Sequence, residues 1–257
     1  MLIQDKIVVV TGAGAGIGRA LAERFVAEGA KAVIASDITS DLKDVAAEIG
    51  AHPIRADVSQ EANIISLIDE TESQFGPIDL FVANAGIGGQ PGGAEVPDDE
   101  WQRIWEINVM HHIWAARHLV PRWQERGGGY LLTTASAAGL LSNLGTAPYT
   151  VTKHAAVAFA EWLAITHADD GIKISVLCPQ GVRTAMTASD DPAVANVVAQ
   201  GLIETEDVAD AVLAGLGQES FLILPHPEVA EYVKHKGADI ESWLDAMRRL
   251  QRKFFPA

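Results

Sequence analysis

Short, mostly apolar runs at residues 7–10, 32–35, 78–83, 130–134 and 174–177 alternate with longer stretches whose apolar positions recur at helical spacing. A run that is apolar at nearly every position needs cover on both faces, which is the situation of a strand inside a parallel sheet. The helical patterns at 17–28, 41–49, 61–75, 99–123 and 150–167 fall between these runs and would supply that cover as crossovers. The order predicts an α/β fold, a doubly wound Rossmann-like sheet with helices on both faces. A further short strand at 221–224 is read as the seventh, so about seven strands are expected.

One domain over residues 1–257 suffices, because a chain of 257 residues with 48% hydrophobic content can bury a single large core. Residues 225–257 are expected to pack on it as a carboxyl-terminal extension. There Asp239 would cap a last helix with an apolar stripe of Ile240, Trp243, Leu244, Met247 and Leu250. The 19 basic and 34 acidic residues give a net charge of −15. That balance speaks against nucleic acid, whose phosphates demand clustered Lys and Arg. The lone Cys178 forms no intrachain disulfide, and neither a signal peptide nor a membrane span is legible. A cytoplasmic location without membrane partners is the resulting expectation. His111 and His112 are adjacent and His226 lies between two prolines, so none has a partner at ligand spacing and no metal is expected.

The run Thr11-Gly12-Ala13-Gly14-Ala15-Gly16-Ile17-Gly18 follows the first strand and opens the first helix. Backbone amides at such a turn can hold a pyrophosphate at the positive end of the helix, provided glycines permit close approach. On its own the run is also compatible with an ordinary glycine-rich turn. Asp37 closes the second strand, where a carboxylate can accept from adenosine ribose hydroxyls and would repel a 2′-phosphate, and neither Ala15 nor Ile38 offers an arginine to that phosphate. NAD rather than NADP is therefore expected. The alternative for Asp37 is a helix cap or turn residue.

Tyr149 and Lys153 stand four apart in a helical segment, so the phenol and the ammonium share one face. An adjacent cation favours the phenolate, and a phenol of adjusted pKa can donate or take the proton that accompanies hydride transfer at a carbonyl carbon. Ser136 would hydrogen-bond the same substrate oxygen. Taken singly, each of these residues, and Asn108 with them, has a structural explanation.

Together the motifs resemble the short-chain dehydrogenase/reductase family over nearly the whole chain. The glycine run is similar to T-G-x-x-x-G-x-G, Asp57-Val58 to an adenine-contacting pair, and Asn84-Ala85-Gly86 to the N-A-G after the fourth strand. Asn108, Ser136, Tyr149 and Lys153 fall where the family's catalytic tetrad falls. Pro179, Gly181, Val182 and Thr184 resemble the segment that binds the nicotinamide carboxamide, with Gln180 where the family usually has glycine.

The resemblance implies a dinucleotide held by Gly12, Gly14, Ala15, Gly16, Ile17, Gly18, Asp37, Ile38, Asp57, Val58, Asn84, Ala85, Gly86, Tyr149, Lys153, Pro179, Gly181, Val182 and Thr184. Tyr149 would be the general acid/base, Lys153 would also bind the nicotinamide ribose, and Asn108 would hold a water in a proton path. Ser136, Ala138, Leu144, Tyr149, Gln180 and Met186 would meet the substrate, with further lining from Ala137, Leu140, Leu141, Pro148 and residues 187–198. That lining is mostly apolar, so a neutral, fairly hydrophobic secondary alcohol or its ketone is expected. The competing readings are an NAD-dependent sugar-nucleotide epimerase and a non-catalytic NAD-binding protein. The broad apolar surface of the helix around 150–167 and the resemblance both suggest a homotetramer or homodimer.

Overall fold

A computed structural model describes residues 1–188 and 201–255. Seven parallel strands form one sheet in the order β3-β2-β1-β4-β5-β6-β7. They are β1 (Ile7–Thr11), β2 (Ala32–Asp37), β3 (His52–Arg55), β4 (Leu80–Ala83), β5 (Gly129–Thr134), β6 (Ile172–Leu177) and β7 (Leu222–Ile223). The expected doubly wound α/β architecture is thus the one observed. Strand β3 is missing from the apolar runs because it is an edge: of its four residues only Ile54 is buried.

Alternation along the strands divides the interior into two cores. Ile7, Val9, Phe81 and Leu131 point to one face, where α3 (Glu61–Phe75), α5 (His111–Arg126) and α6 (Ala147–Thr166) cover them through Leu67, Leu119 and Ala160. Val8, Val10, Val82 and Leu132 point to the other, under α1 (Gly16–Ala27), α2 (Leu42–Ile49) and α7 (Thr205–Gln218), which contribute Phe25, Ala46 and Val212. Full burial of one such side chain contributes about 1.5–3 kcal/mol, so the two-sided cover is the main stabilising term.

The stretch expected as one helix over 99–123 is instead α4 (Asp98–Trp105), a π-helical turn (Glu106–Met110) and then α5. The wider turn has a visible cause at Asn108: its buried side chain is paired to the backbone of Ile87 and leaves the regular helical course to reach it.

The extension after β7 forms α8 (Glu228–Ala238) and α9 (Ile240–Phe254), with the Asp239 carboxylate capping α9 at Ser242 N (3.0 Å). Val229 of α8 meets Ala137 and Leu141 in a small third apolar cluster, with Trp243 of α9 packed against it. Ile240 and Leu244 stay exposed.

Candidate active site

In this strand order the chain winds away from β1 in both directions, so a crevice opens beyond the carboxyl ends of β1 and β4. The glycine run leaves β1 there. A side chain on Gly18 would lie 2.1 Å from Gly12 O, so only glycine lets the helix close on the turn. Gly16 has φ +54°, and a carbon added to it would stand 3.2 Å from Thr184 Cγ2. Ala15 precedes α1 in extended backbone without a side-chain cap, and no acidic residue occupies the first turn. The first turn of α1 therefore brings no carboxylate of its own to the positive end of the helix.

Asp37 at the end of β2 accepts from Gly14 N (2.9 Å) through Oδ2, and from Ile38 N (2.7 Å) and Thr39 N (3.1 Å) through Oδ1. The turn role considered for it is the one observed: the carboxylate holds its own turn and abuts the glycine run. A carboxylate offers roughly four acceptor positions, so the three bonds leave room for a ribose hydroxyl. Ile38 is exposed beside it. Asp57 is exposed and accepts from Ser59 N (3.0 Å), while the Val58 side chain is in the core.

The loop after β4 is tied to the glycine turn. Asn84 Nδ2 donates to Thr11 O (3.0 Å), and the Asn84 and Ala85 amides donate to Thr11 Oγ1 (3.0 and 3.2 Å). Asn108 Oδ1 accepts from Ile87 N (2.9 Å), while its Nδ2 donates to Ile87 O (2.9 Å) and Thr152 Oγ1 (3.3 Å). Gly86 faces both Asn108 Oδ1 and Lys153 Nζ, which would stand 3.2 and 3.3 Å from a side-chain carbon placed there.

Lys153 on α6 is 3% exposed, donates to Thr134 O (3.1 Å), and lies 5.6 Å from the centre of the Tyr149 ring. Tyr149, one turn earlier, lies close enough to Ser136 for that hydroxyl to favour its ionised form. The Ser136 hydroxyl donates weakly to Pro179 O (3.4 Å) and accepts from Ala138 N (3.1 Å). Here the protein's own groups set an electrostatic balance other than the expected one. Burial pushes the Tyr149 phenol up, outweighing the opposite influence of the Ser136 hydroxyl, and burial also pushes the Lys153 ammonium down to about 8. Desolvation opposes charge on both groups, so the ammonium's pull on the phenol is not the dominant influence.

Of the expected substrate lining, Ala138 is buried, Leu144 half-buried and Met186 exposed. Residues 189–198 of it lie outside the described residues. Ala137 and Leu141 pack against Val229 of the extension. The glycine-rich loop after β4 is fastened to the segment before Tyr149, since Gly92 N donates to Gly145 O (2.8 Å) and Ala147 N donates to Gly92 O (2.9 Å). A groove of about 800 Å³ opens there, bounded by Gly93, Leu144, Thr150, Gln251 and Phe255.

Two buried groups near the tetrad escaped the sequence reading as anything but poor metal ligands. His111 Nε2 is 3.2 Å from Thr11 Oγ1, and His112 packs edge-on to it with ring centres 5.1 Å apart. Among the described residues no cluster of three or more His, Cys, Asp or Glu side chains could hold a metal ion.

Comparisons with known proteins show the family to which this fold belongs. The family model for short chain dehydrogenases matches residues 6–195. A 1-deoxy-11-beta-hydroxypentalenate dehydrogenase of Streptomyces avermitilis is 35% identical over 237 residues, covering 89% of this chain and 87% of the relative. A 3beta-hydroxysteroid dehydrogenase 2 of Eggerthella lenta is 32% identical over 191 residues, covering 71% and 73%. Among solved structures, a short chain dehydrogenase/reductase from Burkholderia phymatum in complex with NAD superposes with a TM-score of 0.85 at 27% identity, covering 94% of this chain and 96% of that one. A glycine turn, an N-A-G loop and a Ser, Tyr, Lys set gathered at one edge of such a sheet, with a family match of this extent, leave one assignment: the chain belongs to the short-chain dehydrogenase/reductase family of oxidoreductases.

Proposed function

We propose that the chain is an NAD(H)-dependent alcohol dehydrogenase/ketoreductase that interconverts a neutral, fairly hydrophobic secondary alcohol and its ketone. The observation that carries this reading is the meeting of Ser136, Tyr149 and Lys153 beside a loop already fastened to the glycine turn. Bound NAD would supply the hydride acceptor, and NADH the donor. The residues present fit such a cofactor: a turn too tight for any side chain at Gly18, an uncapped helix end, and the Asp37 carboxylate fixed against Gly14.

Tyr149 donates its phenol proton to the carbonyl oxygen in reduction and takes a proton from the hydroxyl in oxidation. Ser136 turns from its long bond to Pro179 O toward the same oxygen and stabilises charge there. Lys153, anchored on Thr134 O, supplies positive charge behind the phenol and binds the nicotinamide ribose. Asn108 fixes the loop on which Gly86 sits and carries the proton path outward from Lys153. Both dehydrogenase relatives are named for hydroxylated substrates, and the hydroxysteroid of one fits the scarcity of cations in the expected lining.

Turnover of a panel of secondary alcohols with NAD and NADP, read by absorbance of the reduced cofactor, tests the reading. NAD is expected to be preferred. Asp37→Ser is expected to raise KM for NAD about 10- to 100-fold, the range for a lost hydrogen bond to a charged group. A strong NADPH preference in the wild type overturns the cofactor assignment.

The proposal includes a cytoplasmic homotetramer or homodimer. On α6, Trp162 and Ile165 are 56% and 73% exposed on the side away from the sheet, a surface suited to a second copy. No helix among the described residues is long and apolar enough to cross a membrane.

A further inference from the structure

His226 follows β7 between Pro225 and Pro227 and is 3% exposed. Its Nδ1 accepts from Gln180 N at 3.1 Å, and its Nε2 stands 3.1 Å from Gly181 O. A nitrogen that accepts from an amide carries no proton, and one that faces a carbonyl must carry one. The two contacts therefore fix the ring as the neutral Nε2–H tautomer.

The position of the ring continues the sheet. The last ladder bond between β6 and β7 runs from Cys178 N to Ile223 O (3.0 Å), and beyond it the imidazole takes over the pairing with the backbone that leaves β6. The rest of that backbone is held from other sides. Pro179 O accepts from Ala137 N (2.8 Å), Gly181 O also accepts from Ile203 N (3.2 Å), and Val182 O accepts from Thr187 Oγ1 (2.6 Å). Prolines on either side restrict the backbone that carries the ring, so it reaches this turn with little freedom left to lose.

We propose that His226 is a positioning residue that sets the backbone path of Pro179, Gln180, Gly181 and Val182, at the place where Gln180 stands instead of glycine. The inference rests on the reading that this segment holds the nicotinamide carboxamide. Because Pro179 O also receives the Ser136 hydroxyl, the same clamp links the cofactor segment to the catalytic serine. A ring removed from this position takes away the imidazole acceptor of the part-buried Gln180 amide and one donor to Gly181 O, and the turn is free to shift.

The test compares His226→Leu, which nearly keeps the volume, with His226→Gln, whose carboxamide can both accept and donate. His226→Leu is expected to weaken NADH binding and raise KM for NAD about tenfold, the loss of roughly one buried hydrogen bond, with KM for the alcohol changed much less. His226→Gln is expected to recover NADH affinity to within about threefold. Wild-type affinity in His226→Leu, with only a lowered melting temperature, overturns the positioning role and leaves the dinucleotide reading standing. A wild-type protein that binds no NADH overturns that reading and the positioning role with it. If His226→Leu does not fold, the imidazole ¹⁵N signals of the wild type decide. A neutral Nε2–H ring whose shifts move on adding NADH supports the role, and a ring that ignores NADH overturns it.

Discussion

Tyr149→Phe is expected to lower turnover about 10²- to 10⁴-fold while NADH affinity stays within about threefold of wild type, the range that a positioned general acid/base contributes. The asymmetry follows from what the hydroxyl touches. The side chain that acts on it is Ser136, and the backbone that would carry the dinucleotide is held by other groups, Asp37 at Gly14 and Asn84 at Thr11. Removing one oxygen therefore deletes the proton donor without loosening the glycine turn. The ring itself remains to fill its place, so the fold is expected to be retained. Steady-state rates with a reactive alcohol, paired with a fluorescence titration by NADH, make the comparison. Near-normal kcat in the variant would end the proposed mechanism. Equal losses of kcat and NADH affinity would instead mean that the phenol is part of the cofactor's support.

The burial pattern sharpens that expectation. Burial raises the Tyr149 phenol and brings Lys153 down to about 8, so the protein alone favours a neutral phenol over a phenolate. That state suits proton donation, the step ketone reduction requires.

The sheet was legible in the sequence because strands covered on both faces are written as apolar runs, and β1, β2, β4, β5 and β6 each carry one. Strand β3 was not, since an edge strand with His52 and Pro53 needs burial only at Ile54. The break at Asn108 left no trace in the periodicity either, because the apolar positions continue on both sides of it and the cause is a distant backbone, that of Ile87. Tyr149, Lys153 and Ser136 were readable as a set through spacing and order. What spacing could not convey was that desolvation governs their charges, a property of the packed interior. His226 illustrates a different gap: its flanking prolines were visible, but a ring that serves backbone atoms 45 and 46 residues away has no local signature.

The second large effect expected is on acid stability, and it comes from His111 and His112. Both rings are fully buried, and burial, with the charge of Lys153 adding to it, pushes His111 down to about 3 and His112 well below its ordinary value. Since the folded values lie below the unfolded value of 6.5, the unfolded chain binds more protons as pH falls beneath 6.5. Stability is then full above that pH and is lost as pH falls toward the folded values. Each such histidine adds a slope of about 1.4 kcal/mol per pH unit, and two together remove much of a typical domain's stability of about 5–15 kcal/mol within two to three units. The rings differ in what replacement would cost. His111 is bonded to Thr11 Oγ1, whereas among the described residues neither nitrogen of His112 has a hydrogen-bond partner. His112→Leu is therefore expected to stabilise the protein by about 1–3 kcal/mol at pH 7, the cost of an unpaired buried polar group, and to reduce the slope between pH 6.5 and 4.5 by about 1.4 kcal/mol per unit. Urea unfolding at a series of pH values reads both quantities. An unchanged slope would mean that His112 takes up its proton equally in the folded and unfolded chain, and the buried, neutral state assigned to it here would be wrong.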